Sequence, residues 1–341
     1  MSVTVQRDPR RLARLAADRL VRYDWRVWYF ADSVGCEGLL AATDLTGDAA
    51  YRHVVYGLAQ GWAARSAPWR RYDYTAPGVA LLDVAHHFGD DRLRARLLDW
   101  ADWQAHLTQA GGHVLLDPAY ALWVWVDCMQ FQGPFFAALG RQTGDERHDR
   151  QAERFLLAQA EALVDGSGLF SHIYDVTTRA TNGVHWGRGQ GWAMRGLWQT
   201  YRALPPDRPS RPHIADLLRA QLDALLPYQL ESGHWRTIVD DPDAYEETSV
   251  AAFYVATAAP ALDAGLLDAA RHAGPLERAW AAVLAAVDDT GWYRGVSADT
   301  PAGDAAHYKD DIARDLLVPW GQGPFLLALH AYLGRSPQRG A

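Results

Sequence analysis

The chain has 341 residues, 49% apolar and 22% charged, so it can bury a large core and lacks the composition of a disordered segment. Its formal net charge is -8 with no Lys/Arg-rich run, which excludes the basic field that a nucleic-acid partner requires. Two cysteines, Cys36 and Cys128, stand far apart without nearby ligand spacing, which argues against a disulfide framework or a structural zinc and fits a reducing compartment.

The N-terminal stretch "MSVTVQRDPRRLARLAADRL" is charged throughout and has no apolar segment of signal-sequence type. No apolar run reaches the length of about eighteen residues needed to cross a membrane. A cytoplasmic protein without a membrane partner is expected. From Gly38 onward one phrase recurs: "GLLAATDLTGD" from Gly38, "GVALLDVAHHFGD" from Gly78, "GPFFAALGRQTGD" from Gly133, and "GPFLLALHAYLGR" from Gly323. Looser copies begin at Gly191 ("GWAMRGLWQTYRALP") and Ser249 ("SVAAFYVATAAP"). The spacings from Gly78 to Gly133, Gly191 and Ser249 are 55, 58 and 58 residues, room for two helices each.

Stretches between the phrases, such as "DDRLRARLLDWADWQAHL" and "RHDRQAERFLLAQAEAL", place apolar residues at three-to-four spacing against a charged face. They predict outer amphipathic helices, and the phrases predict buried inner ones. The fold class is therefore all-α, an (α/α)6 barrel forming a single domain over residues 1–341. "PPDRPSRP" at 205–212 is a loop within the repeat, and the pair His86 and His87 reads as one core and one surface residue. If each inner helix starts near its glycine, the N-termini gather at one end of the ring, where free N–H groups favour an anion. The segments to inspect are then "RRYDYTAPG", "WVWVDCMQFQG", "HWGRGQG", "DAYEETS" and "VPWGQG".

Asp127 is a lone carboxylate in a strongly apolar run, where desolvation tunes a carboxyl toward general-acid use; the alternative is a helix cap. Asp73 holds the corresponding place one repeat earlier, with the same two readings. Arg188, between glycines and flanked by Trp186 and Trp192, is suited either to grip a substrate carboxylate or to pair with a neighbouring acid. His172 orients a substrate or closes a loop. His185 has no second ligand at metal spacing, so no metal is expected. No P-loop, dinucleotide fingerprint in a βαβ context, or G-x-S-x-G elbow is present.

The ordered motifs "WVDCMQFQGPFFAALGRQTGD", "HWGRGQGW", "EETSVAAFYVATA", "TPAGDAAHYKD" and "VPWGQGPFLLAL" resemble those of glycoside hydrolase family 105, the unsaturated rhamnogalacturonyl hydrolases, and of family 88, the unsaturated glucuronyl hydrolases. The likeness runs over about residues 72–333. It implies the same barrel, and removal of a terminal 4,5-unsaturated uronic acid from a lyase-generated acidic oligosaccharide without metal or organic cofactor. It places Asp127 on the acid/base and Asp73 on a second pocket aspartate. His172, Trp186, Arg188 and Trp192 fall on substrate-contacting positions, with Tyr74 and Gln190 joining that set.

In the reaction so implied, Asp127 protonates C4 of the vinyl ether, C5 accepts a water, and the hemiketal opens. Cys128 stands where relatives often carry an acidic or small hydroxyl residue. The rivals are hydrolysis of other unsaturated glucuronyl oligosaccharides, a sugar epimerase needing paired histidines such as His172 and His185, and a carbohydrate-binding barrel in which Asp127 is dispensable. A monomer or weak homo-oligomer is expected.

Overall fold

The computed structural model describes residues 8–27, 29–65, 68–107, 109–110, 113–114 and 122–335; residues 1–7, the start of the charged N-terminal stretch, and 336–341, the end of the expected domain, lie outside the described residues. Twelve α-helices are described. α1 (Pro9–Val21), α3 (Ala50–Ala63), α5 (Asp91–Ala105), α7 (Glu146–Leu163), α9 (Arg211–Leu225) and α11 (Ala269–Ala286) each bury one face. In α7 that face is Ala152, Phe155, Leu156, Gln159, Ala160 and Leu163, the three-to-four rhythm of an outer helix. The alternate helices are α2 (Asp32–Thr46), α4 (Gly78–His87), α6 (Gln132–Thr143), α8 (Gly187–Ala203), α10 (Ser249–Asp263) and α12 (Pro319–Leu333). They are largely enclosed; α10 is buried on every side from Ser249 to Ala259.

Each inner helix packs on the next, and α12 packs on both α10 and α2, closing a six-membered ring with the outer helices around it. The repeated phrase states the local rule of this ring. Its glycine ends an inner helix in left-handed backbone, with φ of 71° at Gly47, 62° at Gly89 and 70° at Gly144. The aspartate that follows caps the next outer helix: Asp48 accepts from the Ala50 amide, Asp90 from Leu93 and Asp145 from Arg147.

The helix starts depart from the glycine rule. α4, α6 and α10 begin at or beside the phrase, but α2, α8 and α12 begin six, four and four residues before Gly38, Gly191 and Gly323. There the glycines lie inside helices and permit close approach: a Cβ on Gly38 would sit 2.7 Å from the Gly323 Cα, and one on Gly191 2.5 Å from the Phe253 ring. His86 and His87 are both exposed, so neither is a core residue.

Strands are few and short. β1 (Gln109–Ala110) pairs with β2 (His113–Val114). β3 (Trp123–Trp125) pairs antiparallel with β4 (Ile173–Asp175), Trp125 opposite Ile173, and β4 with β5 (Ala180–Thr181). β6 (Trp235–Arg236) pairs with β7 (Glu246–Glu247). Among the described residues no helix is long and apolar enough to cross a membrane.

A buried polar brace crosses the ring. Glu37 on α2 accepts from Arg195 at 2.9 Å and Gln199 at 2.6 Å on α8, three places round the ring, and from Gln130 at 3.0 Å. Gln130 ends a 3-10 turn, Val126–Gln130, that leads into α6 and carries Asp127. Removing the acid strands a buried guanidinium, so Glu37→Ala is expected to lower stability by about 3–5 kcal/mol, read as a lower urea midpoint. Gly57→Ala, at an exposed mid-helix site where an added Cβ meets nothing within 4 Å, is expected to raise stability by about 0.5–1 kcal/mol in the same assay.

Candidate active site

A cavity of about 500 Å³ opens where the inner helices begin. Its wall takes Phe30 from just before α2, Thr75 from before α4, Asp127, Cys128 and Phe131 from before α6, Trp186 from the cap of α8, and Asp299 to Pro301 from the approach to α12. Trp125, His172, Arg26 and Tyr29 complete it. The N-cap residues of the six inner helices make no side-chain hydrogen bond to the helix, although the first amide of α10, that of Ser249, donates to Glu247 at 3.0 Å; α1, α5, α7 and α11 are by contrast capped by aspartates. The ring therefore presents partially positive helix ends toward this side.

Asp127 is held on the cavity floor by local structure. Its 3-10 turn follows β3, whose pairing with β4 brings His172 alongside, the Val126 amide donating to the His172 carbonyl at 3.0 Å. The His172 Nε2 stands 3.5 Å from the Asp127 Oδ2, and that oxygen is buried while the carboxyl as a whole keeps a narrow exposure to the cavity. The imidazole packs against two indoles, 5.1 Å from the Trp125 ring and 4.3 Å from that of Trp186. Its own burial is the main reason that its pKa falls below the ordinary 6.5, which keeps it neutral near pH 7. Cys128 beside Asp127 is inert as a nucleophile, because burial pushes its thiol up to about 12.

Asp127, His172 and Trp186 are thus brought together; the other five candidates lie behind the wall. Arg188 is 0% exposed. Its Nη1 donates to Glu247 at 3.1 Å and to the Ser297 hydroxyl at 2.6 Å, and its Nη2 to the Ala298 carbonyl at 2.6 Å and to Thr300 at 2.9 Å. The pairing alternative holds for this residue, because the segment that resembles a glycine loop is the first turn of α8 and turns the guanidinium toward the neighbouring loop. Arg188 shapes the cavity indirectly, through Thr300 and through its stacking 4.5 Å above Trp186.

Asp73 is likewise occupied. It forms an ion pair with Arg65 at 2.7 Å and accepts the Arg70 amide at the start of the 3-10 turn Arg71–Thr75, which is the capping alternative. Tyr74 is buried, with its hydroxyl 3.7 Å from the Cys128 sulfur. Trp192 packs in the core against Phe253, at 4.9 Å, and behind Phe30. Gln190 is a backbone latch: it accepts from the Phe170 amide at 3.0 Å and donates to its carbonyl at 2.6 Å. Gln322, in the matching "WGQG" of the first turn of α12, accepts likewise from the Tyr293 amide and donates to the Gly291 carbonyl. His185 is off the cavity wall, between Asp240 at 2.8 Å and Asp165 at 2.9 Å. A paired-histidine site is therefore not assembled here.

Among the wall residues that were not candidates from the sequence, Arg26, Tyr29 and Asp299 carry the polar chemistry. Arg26 is the lone Lys or Arg among the described lining residues, and its guanidinium stands 5.2 Å over the Tyr29 ring. The Tyr29 hydroxyl donates to Asp299 at 2.5 Å, which supplies a second cavity carboxylate. The signal for Arg26 and Tyr29 was available, since the rule that singled out residues ahead of each phrase applies equally to the first copy, where "RVWYFADSVG" precedes Gly38. Asp299 adjoins "TPAGDAAHYKD", and nothing local separates it from any loop aspartate. Among the described residues no group of His, Cys, Asp and Glu forms a metal-binding cluster.

Comparison with known proteins agrees with this architecture. The unsaturated rhamnogalacturonyl hydrolase YesR of Bacillus subtilis (strain 168) is 26% identical over 325 residues, 90% of this chain and 90% of its own length. An unsaturated 3S-rhamnoglycuronyl hydrolase of Alteromonas sp. (strain LOR) is 28% identical over 175 residues, 50% of this chain and 42% of its own. A possible member of the GH105 family from Klebsiella pneumoniae subsp. pneumoniae MGH 78578 superposes with a TM-score of 0.86 at 22% identity, covering 98% of this chain and 94% of that one. The profile of Glycosyl Hydrolase Family 88 matches residues 9–335. The chain belongs to that family, and it is a glycoside hydrolase built on the six-hairpin barrel.

Proposed function

We propose that this enzyme removes a terminal 4,5-unsaturated uronic acid from the acidic oligosaccharides that polysaccharide lyases leave, as an unsaturated rhamnogalacturonyl hydrolase. The substrate class follows the full-length likeness to YesR. The observation that supports the mechanism is the Asp127 carboxyl, set in an aromatic cavity beside a neutral imidazole at the end of the ring where the inner helices begin.

Asp127 in its protonated form gives its proton to C4, and the π electrons of the double bond form the new C–H bond. The cation-like C5, stabilised by the ring oxygen, takes a water oxygen, and the Asp127 carboxylate removes the surplus proton. The hemiketal then opens and releases the remaining sugar chain. The step consumes one water and returns Asp127 to its starting state, so it balances without a cofactor. Acid–base action of this kind contributes roughly a hundred- to ten-thousand-fold in rate.

The carboxylate of the uronate needs a cation that the cavity can offer. Arg188 is buried off the cavity wall with both Nη groups committed to Glu247, Ser297, Ala298 and Thr300, so we assign that role to Arg26, assisted by the helix ends. Trp125, partly exposed on the wall, supplies a stacking face for the sugar, while Trp186 is buried beneath His172 and Arg188. The same reading treats residues 1–341 as one domain and the protein as a cytoplasmic monomer or weak homo-oligomer. The free thiols of Cys36 and Cys128 suit a reducing compartment.

Loss of the ultraviolet absorbance of the conjugated uronate, on adding the protein to a panel of lyase-generated oligosaccharides, is the direct test. Rhamnogalacturonan-derived members are expected to react fastest; a preference for glycosaminoglycan-derived ones would move the enzyme to the sister specificity, and an unchanged chromophore throughout would refute hydrolysis. Asp127→Asn is expected to reduce turnover at least about a hundredfold while binding persists. Arg26→Ala is expected to raise KM about tenfold with kcat little changed, as measured by steady-state kinetics.

A further inference from the structure

We infer that Tyr308 and Asn182 fix the tautomer of His172, so that its ring points an N–H at the buried oxygen of Asp127 and leaves the other carboxyl oxygen as the one that exchanges protons with substrate. This deepens the reading above, and rests on it for the identity of the reaction but not for the hydrogen-bond chain itself. Tyr308 and Asn182 are positioning residues in this scheme, since neither lines the cavity.

The argument is one of donors and acceptors. The Asn182 Oδ1 faces two backbone amides, those of Ile173 and Val184, each at 3.4 Å, which sets the amide so that its NH₂ points the other way. That NH₂ donates to the Gly303 carbonyl at 3.3 Å and to the Tyr308 hydroxyl at 3.2 Å. The phenol oxygen, accepting from Asn182, directs its own proton to the His172 Nδ1, 2.5 Å away. A neutral imidazole whose Nδ1 accepts must carry its proton on Nε2. Nε2 is the atom that stands 3.5 Å from the Asp127 Oδ2. Trp125, edge-on at 5.1 Å, and Trp186, tilted at 4.3 Å, pack against the ring and restrain its plane, which directs the N–H.

The consequence lies in which carboxyl oxygen holds the catalytic proton. An N–H aimed at Oδ2 makes that oxygen the acceptor and confines the transferable proton to Oδ1, on the cavity side. The opposite tautomer would put an imidazole lone pair against Oδ2, draw the carboxyl proton there, and hide it from C4. The separation of 3.5 Å suits a contact that shortens when substrate excludes water. Tyr308 comes from the segment His307–Asp311, on the far side of the sequence from His172, so the chain also ties that segment to the cavity floor.

Nitrogen-15 NMR of protein labelled at histidine reads the tautomer directly and needs no substrate. The His172 signals, assigned by their absence in His172→Gln, are expected to show a protonated Nε2 and an unprotonated Nδ1 in the wild type. Tyr308→Phe is expected to move them toward a mixture of tautomers. In the chromophore assay the same variant is expected to lose about 10- to 100-fold in kcat with KM within about twofold. Asn182→Ala is expected to shift both readouts in the same direction by less. A wild-type His172 protonated on Nδ1, or a folded Tyr308→Phe with unchanged nitrogen shifts and unchanged kcat, would overturn the inference. If the wild-type protein turns over no unsaturated uronide, the reaction assignment falls while the NMR result still decides the tautomer.

Discussion

The carboxylate of Glu37, enclosed between α2 and α8, is the constraint on which the rest of the barrel depends. Six inner helices around an axis leave a channel that apolar side chains alone do not have to fill, and here a charged acid spans it to meet Arg195, with Gln199 and Gln130 satisfying its remaining lone pairs. A buried ion pair gives little net stability over a hydrophobic substitute, but it tolerates few alternative geometries. Two helices on opposite sides of the ring, and the turn bearing Asp127, are thereby fixed with respect to one another.

On that base the cavity is assembled by repetition with variation. Each hairpin delivers the start of an inner helix to the same end of the ring, and the residues just before those starts become the wall. Aspartates cap the starts of α1, α5, α7 and α11, whereas the N-cap residues of the inner helices make no such side-chain bond. A fold that repeats one local rule six times therefore produces a site with no internal symmetry, because the residues ahead of the helix starts differ: Trp186 before α8, Asp127 before α6, Thr75 before α4. Arg188 and Gln190 belong to the scaffold of that arrangement. The former holds the 297–300 loop through several donors, and the latter latches the chain entering α8.

The contrast between Arg188 and Arg26 shows where residue types mislead. Both are arginines close to aromatic rings, and the motif around Arg188 is the more conspicuous. Its glycines invite the interpretation of a loop that approaches a ligand, yet those same glycines face Arg236, Val126 and Phe253 as points of close helix packing. Arg26 sits in an unremarked stretch and reaches the cavity because the chain folds back ahead of α2. Asp73 and Asp127 form a similar pair: equivalent places in the repeat, one consumed by Arg65 and a cap, the other left facing open space.

The amino-acid order by itself determined the alternation of buried and amphipathic helices, the six-fold repeat, the glycine–aspartate hinge between inner and outer helices, and the prominence of Asp127. Each of these is set by periodicity or by backbone preferences that act within a few residues. Only the tertiary structure decided which polar side chains reach the cavity and which are spent on one another. That outcome turns on contacts between residues far apart in sequence, such as Arg188 with Ser297, Tyr29 with Asp299, and His172 with Tyr308, and a side chain's free donors are defined only after every such partner is in place.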